Sequence, residues 1–361
     1  ATGKLNNAKP PVMVVNQANP LDIKSLTCSN NKAMQGGGCL ASNNDVKKYK
    51  FYKTLLSANE AKNGGAMYFS VAPRLTIKNT KFASNQATDN GGAIYFANGW
   101  TDFNNQLDDS VAGEDIGVPI KLTGGTKVHN QFLSNQAGDN GGAIYVAAGN
   151  VSFNSFYLEH LKYDTKKDPD GVTRTVTHYF HRYLEFEKNS AVNSGGAICF
   201  ADTVNNLGVV ENINGSYVEN QAKIGGAIAL LGANNNVNIS TNLITDKNFA
   251  LFKKNQAEFG SALSINSLVD NSIICGTYNE NAATELGGSV YINYATNKTL
   301  TFTGSYTNNK ATNGSGIVDF LDASNANLIF NGKYENNNLG VNNHSEITAI
   351  AQPIDNLTLM G

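Results

Sequence analysis

Hydrophobic and polar positions alternate along this chain in short runs, and each run follows a pair of small residues, usually glycines. The first position after the pair and its alanine or serine holds Met67, Ile94, Ile144, Ile198, Ile228, Leu263, Val290 and Ile317. The third holds Phe69, Phe96, Val146, Phe200, Leu230, Ile265 and Ile292. A period of two is the signature of a strand with one buried face. The middle position should then face outward, and it holds Tyr68, Tyr95, Tyr145 and Tyr291. A second alternating run leads into an aromatic residue, as in Leu300, Phe302 and Tyr306, or Leu328, Phe330 and Tyr334. No segment keeps a period of 3.6 over a dozen residues, which argues against helical repeats.

The two runs belong to one repeat. Phe82-Ala83-Ser84-Asn85-Gln86-Ala87 leads to Gly91-Gly92-Ala93-Ile94. The order returns as Phe132, Asn135 and Gly141-Gly142-Ala143, then as Phe186, Asn189 and Gly195-Gly196-Ala197. Tyr217 and Asn220 precede Gly225-Gly226-Ala227, and Phe252 and Asn255 precede Gly260-Ser261-Ala262. The motif asparagines stand at 31, 59, 85, 135, 189, 220, 255, 281, 309 and 337. Their separations are 28, 26, 50, 54, 31, 35, 26, 28 and 28, a unit of about 27 residues with two gaps near double length. Each long gap hides a degenerate coil or carries a long excursion, and some of both is expected.

A unit this short cannot bury its own apolar face, so units must stack. The expected fold is all-β: a right-handed parallel β-helix, the hand taken from the general preference of parallel crossovers. Stacking would line up the inward columns, join the asparagines as an amide ladder in a turn, and place the glycine pair at a sharp corner. The expected organisation is a lead-in or cap over 1–27, the β-helix over 28–340, and a coil or cap over 341–361 that further coils would continue. Excursions fall near 98–117 and 150–182, with a further strand over 118–125.

Composition agrees with strands and turns. Hydrophobic residues make up 41% and charged residues only 16%, and asparagine is abundant. The net charge of −2 shows no basic cluster, so no nucleic-acid partner is expected. No run of about twenty apolar residues occurs. Of the four cysteines, Cys28 and Cys39 align with inward columns, as buried thiols or as one local disulfide, with buried thiols favoured. No CxxC pair suggests zinc.

Catalytic chemistry finds little support. Parallel β-helices that cleave polysaccharides gather carboxylates, arginines and lysines on one strand face. Asn43-Asn44-Asp45 and Asp108-Asp109 resemble the motifs of polygalacturonases only faintly, and their His-Gly and Arg-x-Lys partners are missing. Asp108, Asp109, Glu114 and Asp115 read as a solvated acidic loop. Lys166 and Thr177 would fill the first and twelfth ligand positions of a calcium loop, and neither can. His160, His178 and His181 lack the spacing of a zinc protease. No cofactor or metal is expected.

Alternating Phe-x-x-Asn and Gly-Gly-Ala-[Ile/Leu/Val] motifs resemble those of the chlamydial polymorphic membrane proteins, over about residues 28–340. The resemblance implies an autotransporter passenger, displayed on the outer membrane or secreted, that acts as an adhesin rather than an enzyme. It implies a host-cell receptor, protein or glycan, and a membrane barrel outside this chain. By the same resemblance Phe82, Asn85, Gly91, Gly92, Ala93, Phe132, Asn135, Gly141, Gly142, Ala143, Phe186, Asn189, Gly195, Gly196, Ala197, Phe252 and Asn255 are the adhesion-associated motifs. Physically they read as shaping residues. Tyr68, Tyr95, Tyr145 and Tyr291 are the expected binding face, and the insertions its complement. The alternatives are a carbohydrate-active β-helix enzyme and a structural stalk. Open β-helix ends also make a homo-oligomer an expectation.

Overall fold

The computed structural model describes residues 11–15, 21–42, 48–71, 73–98, 100–105, 130–148, 150–155, 162–167, 173–178, 184–201, 215–232, 250–337, 347–349 and 356–360. Among them there is no helix. Parallel sheets stack as a β-solenoid. Every strand pairing is parallel except for one two-stranded ribbon, Lys162–Lys167 with Thr173–His178.

The strands after the glycine corner form an eleven-stranded sheet, from Met13–Val15 to Ile347–Ala349. Its register stacks Met67, Ile94, Ile144, Ile198, Ile228, Leu263 and Val290 in one column. The column continues at Val318, not at Ile317. The glycine triplet of that coil is displaced by one residue, so the alternation shifts with it.

Strands ending near the motif asparagine form the second large sheet. There Leu56, Phe82, Phe132, Phe186, Tyr217, Phe252, Tyr278, Tyr306 and Tyr334 lie in register. From Phe82 onward the rings stack at 4.5–5.3 Å. Those spacings are close to the strand repeat itself, so each ring rests on the next without distorting the ladder. All but Tyr334 are buried.

A third sheet closes the coil on the N-terminal side. It contains Leu21–Lys24, Lys48–Tyr52, Arg74–Lys78, Trp100–Asn105 and Asn150–Ser155. Both expected excursions therefore begin with strand rather than loop. Further along, the third and second sides merge into nine-residue strands, Thr299–Thr307 and Asn327–Glu335. Within the lead-in expected over 1–27, the strands Met13–Val15 and Leu21–Lys24 already pair with the coil that follows, at Leu40 and Tyr49. At the other end Asn356–Met360 pairs with Asn327–Asn331.

The two long gaps are single coils. Phe82 pairs directly with Phe132, and Phe132 with Phe186, so no degenerate coil lies between them. In sequence, the extra residues fall between the strand of the third sheet and the next aromatic. The strand expected over 118–125 lies outside the described residues.

Cys28 and Cys39 form a disulfide, with Cα atoms 6.1 Å apart. The expectation of two buried thiols was wrong for this pair. Cys28 occupies the aromatic column and Cys39 pairs with the chain at Ala66, in the alanine column behind the glycines. Cys199 and Cys275 are buried free thiols.

Candidate interaction faces

The Phe-x-x-Asn motif is a device for turning a strand. The aromatic points into the core. The residue before the asparagine is left-handed in every coil: Asn30, Ala58, Ser84, Ser134, Lys188, Glu219, Lys254, Glu280, Asn308 and Asn336 have φ between 51° and 58°. None is glycine, so each carries a steric cost of roughly 1 kcal/mol. The asparagine offsets it. The Asn135 side-chain oxygen accepts from the backbone N–H of Asn85 at 3.0 Å and from its side-chain amide at 2.9 Å. The Asn135 amide donates to Asn189 at 2.9 Å and to the Phe82 carbonyl at 3.1 Å. The arrangement repeats from Asn31 to Asn337, and every asparagine from Asn59 to Asn309 makes both acceptor and both donor contacts. Phe82, Asn85, Phe132, Asn135, Phe186, Asn189, Phe252 and Asn255 are all fully buried, and therefore structural in this fold.

The glycine pair divides its labour. Gly91, Gly141 and Gly195 have φ of 66–69°, which reverses the chain. The second glycine is required by contact: a Cβ on Gly92 would sit 2.0 Å from the Gly142 carbonyl oxygen, and one on Gly142 2.0 Å from that of Gly196. Ala93, Ala143 and Ala197 follow, fully buried. The corner changes in the Gly314-Ser315-Gly316 coil. Asp319 takes the place of the outward tyrosine, and its buried carboxylate accepts from the N–H of Gly287 at 2.6 Å and of Ser315 at 2.8 Å.

Outside this frame lie two lateral faces. Tyr68, Tyr95 and Tyr145 form a strip, half-buried, with ring centroids 5.3 and 5.4 Å apart. Burial raises the Tyr95 hydroxyl above its ordinary pKa, with the Tyr68 phenol a second cause. Tyr291 does not join this face. The register continues the strip through Cys199, Ala229 and Ser264 before Tyr291, which is buried with its ring 5.4 Å from Phe259. Bulky Phe259 precedes the glycine of the previous coil, where Asn63 and Asn90 stand elsewhere, and covers it. On the other side of the glycine corner runs a groove of about 1030 Å³. Its floor includes Ala87, Ala137, Ala191, Ala222 and Ala257, and Gln86, Gln136, Gln221 and Gln256 line it with exposed amides.

Among the described residues no three His, Cys, Asp or Glu side chains gather as metal ligands. Asp45, Asp108, Asp109, Glu114, Asp115, His160 and His181 lie outside the described residues. His178 stands on the antiparallel ribbon, and Lys166 and Thr177 are strand residues there rather than ligands of a loop.

Sequence reasoning missed three features. One is a second asparagine column, in which the Asn63 side-chain oxygen accepts from the Asn90 backbone N–H at 3.2 Å and that of Asn90 from the Asn140 backbone N–H and side-chain amide at 3.2 and 3.1 Å. It was visible as an asparagine before the glycines. Another is the alanine groove, legible in the constant Ala after Asn-Gln. The third is Asp319, which carried no motif.

Three consecutive coils match the repeat model of the Chlamydia polymorphic membrane proteins, at residues 79–97, 131–147 and 183–201. The chain carries three copies of the polymorphic membrane protein repeat. Each match runs from the approach to the aromatic through the strand after the glycines, so the repeat unit is one asparagine turn plus one glycine corner. Tyr95 and Tyr145 fall inside matched polymorphic membrane protein repeats. The two insertions emerge between them. No curated protein and no solved structure matches the chain.

Proposed function

We propose that the chain is the surface-displayed passenger of an autotransporter and that it acts as an adhesin for a host-cell receptor. The observation that carries this reading is the coincidence of the family's repeats with a rigid solenoid whose insertions leave from between matched repeats. The family points to a surface or outer-membrane location. A solenoid held by continuous ladders presents fixed columns and gives long excursions a firm base, where recognition is commonly placed. The tyrosine strip adds large, stiff, amphipathic side chains beside them.

The test is saturable binding of the purified chain to host epithelial cells, beside a variant in which a short Gly-Ser linker replaces 156–183. That deletion spares the strand Asn150–Ser155, which the solenoid needs. Binding that falls with the deletion while circular dichroism stays β-rich supports the adhesin. Undiminished binding by the deletion variant moves recognition to the solenoid faces. A folded chain that binds no cells sinks the reading in favour of a stalk, and cleavage of a polysaccharide would sink it in favour of an enzyme.

A further inference from the structure

Charge is divided unevenly along this chain. Residues 1–105 hold twelve basic and five acidic residues, and residues 106–361 hold fifteen and twenty-four. The fold gathers part of the basic excess. Two of the five acids are engaged elsewhere: Glu60 meets Lys32, and Asp89 lies 3.6 Å from Lys62. In the third sheet Tyr49 and Phe51 are buried, so the alternate residues Lys48, Lys50 and Tyr52 face outward. Lys24, exposed on the neighbouring strand, stands in register with Tyr52. The Lys53 ammonium lies over the Tyr52 ring, 5.4 Å from its centroid. On the next coil Arg74 and Lys78 take the positions in register with Lys48 and Tyr52.

Lysines of the later coils are answered by carboxylates, as Lys223 by Glu258 at 3.7 Å and Lys254 by Glu280 at 3.5 Å. Lys24, Lys48, Lys50 and Lys53 have no ion pair among the described residues. Asp22, in register with Lys50, is the only acid on the strands Leu21–Lys24, Lys48–Tyr52 and Arg74–Lys78, and the strand after them adds Asp102. Lys48 and Lys50 stand about 7 Å apart along their strand, and Lys24 about 5 Å to the side of that row. Like charges held this close repel, and an anion that spans them relieves the repulsion. Ammonium groups act as separate point charges, which suits a chain of spaced anionic groups better than one forked ligand. No exposed large hydrophobic side chain among the described residues belongs to these strands, so nothing there enters a lipid surface. Tyr52, half-buried and covered by Lys53, offers no platform for stacked bases.

We propose that this face of the third sheet docks an acidic polysaccharide, with Lys24, Lys48, Lys50 and Lys53 as the contacting cations. On the adhesin reading, on which the choice of partner rests, that polysaccharide belongs to the host surface. The contact then lies on the solenoid itself rather than on an insertion.

The test uses the full chain on immobilised heparin, with dextran, phosphatidylserine vesicles and duplex DNA as competing probes. K24T/K48T/K50T/K53N removes the four charges with residues that the next coil already uses: Thr76 stands in register with Lys50, and Asn79 takes the same left-handed position as Lys53. K223T/K253T/K310T/K333T removes as many charges from the later coils. Expected are salt-sensitive binding to heparin, a loss of about tenfold or more in the first variant, and little change in the second. Thermal melts of both variants should match the parent. Should the first variant melt early, K24T/K53N, at two exposed sites, gives the same reading with a smaller loss. No loss in the first variant, equal losses in both, competition by dextran as strong as by heparin, or tighter binding to vesicles or DNA would each overturn the proposal. Cells bound undiminished by a variant that has lost heparin would overturn the host-surface assignment and leave the adhesin standing. Heparin binding that depends on the four lysines, in a chain that binds no cells, would support the patch and remove the adhesin reading.

Discussion

At the scale of the residue, the motif asparagine does the most. Ten left-handed, non-glycine residues are tolerated because the next side chain binds the backbone of the coil beside it. From Asn59 to Asn309 each amide has both acceptor sites and both donors engaged, in a buried setting where an unmade bond is costly. Removing one link strands several groups at once. Asn135→Ala would take the shared acceptor from the Asn85 backbone N–H and side-chain amide, one of two donors from the Asn189 side-chain oxygen, and the side-chain donor from the Phe82 carbonyl. The expected cost is about 3–5 kcal/mol, read as a lower midpoint in urea denaturation. A cost below about 1 kcal/mol would show that water replaces the ladder. Asn-to-Ala on a surface residue such as Asn271 should cost far less.

At the scale of the element, the glycine corner is set by contact as much as by conformation. Gly92 meets the backbone of the next coil at Gly142 and Gln136, and no flexible side chain can yield there. Gly92→Ala should therefore destabilise by about 3 kcal/mol or more, beyond ordinary overpacking, and a thermal melt would measure it. A small loss would mean that neighbouring coils can separate slightly at this corner. Alternation and repeat spacing made the two large sheets legible, because their positions recur in every coil. The third sheet was not legible. Trp100–Asn105 and Asn150–Ser155 follow a single glycine, Gly99 or Gly149, rather than a pair, and mix polar with apolar residues, so only their pairing with each other and with Leu75–Ile77 defines them. The burial of Tyr291 was hidden for a similar reason. It depends on Phe259, one coil away, and no local pattern records that neighbour. The disulfide likewise depends on how closely two columns approach inside one coil.

At the scale of the whole molecule, the coils form a line in which each is held by its neighbours, so stability travels along the columns. The aromatic column makes this testable through pH. Tyr217, Tyr278 and Tyr306 are fully buried in it, with Phe252 between the first two, and their rings are 4.5–5.3 Å from those beside them. Burial raises all three hydroxyls well above 10; the Cys275 thiol adds to the shift at Tyr278, where the Tyr306 phenol opposes it, and the Tyr278 and Tyr334 phenols with the thiol add to it at Tyr306. In the unfolded chain a tyrosine ionises near 10. The folded state thus keeps protons that the unfolded state loses. The stability held by these hydroxyls is complete below pH 10 and declines as pH rises beyond it. Each tyrosine contributes a slope of about 1.4 kcal/mol per pH unit, and three together about 4. The solenoid should therefore unfold steeply between roughly pH 10 and 12. Phenylalanine already serves at Phe82, Phe132, Phe186 and Phe252, so Y217F/Y278F/Y306F fits the column. The Tyr217 hydroxyl has no partner among the described residues, while that of Tyr278 donates to the Cys275 carbonyl at 2.9 Å. The triple variant should be near the parent in stability at pH 7 and should unfold at distinctly higher pH, followed by far-ultraviolet circular dichroism. If the two chains unfolded at the same pH, the alkaline limit would lie with other groups, and the stacked column would not be where the solenoid fails first.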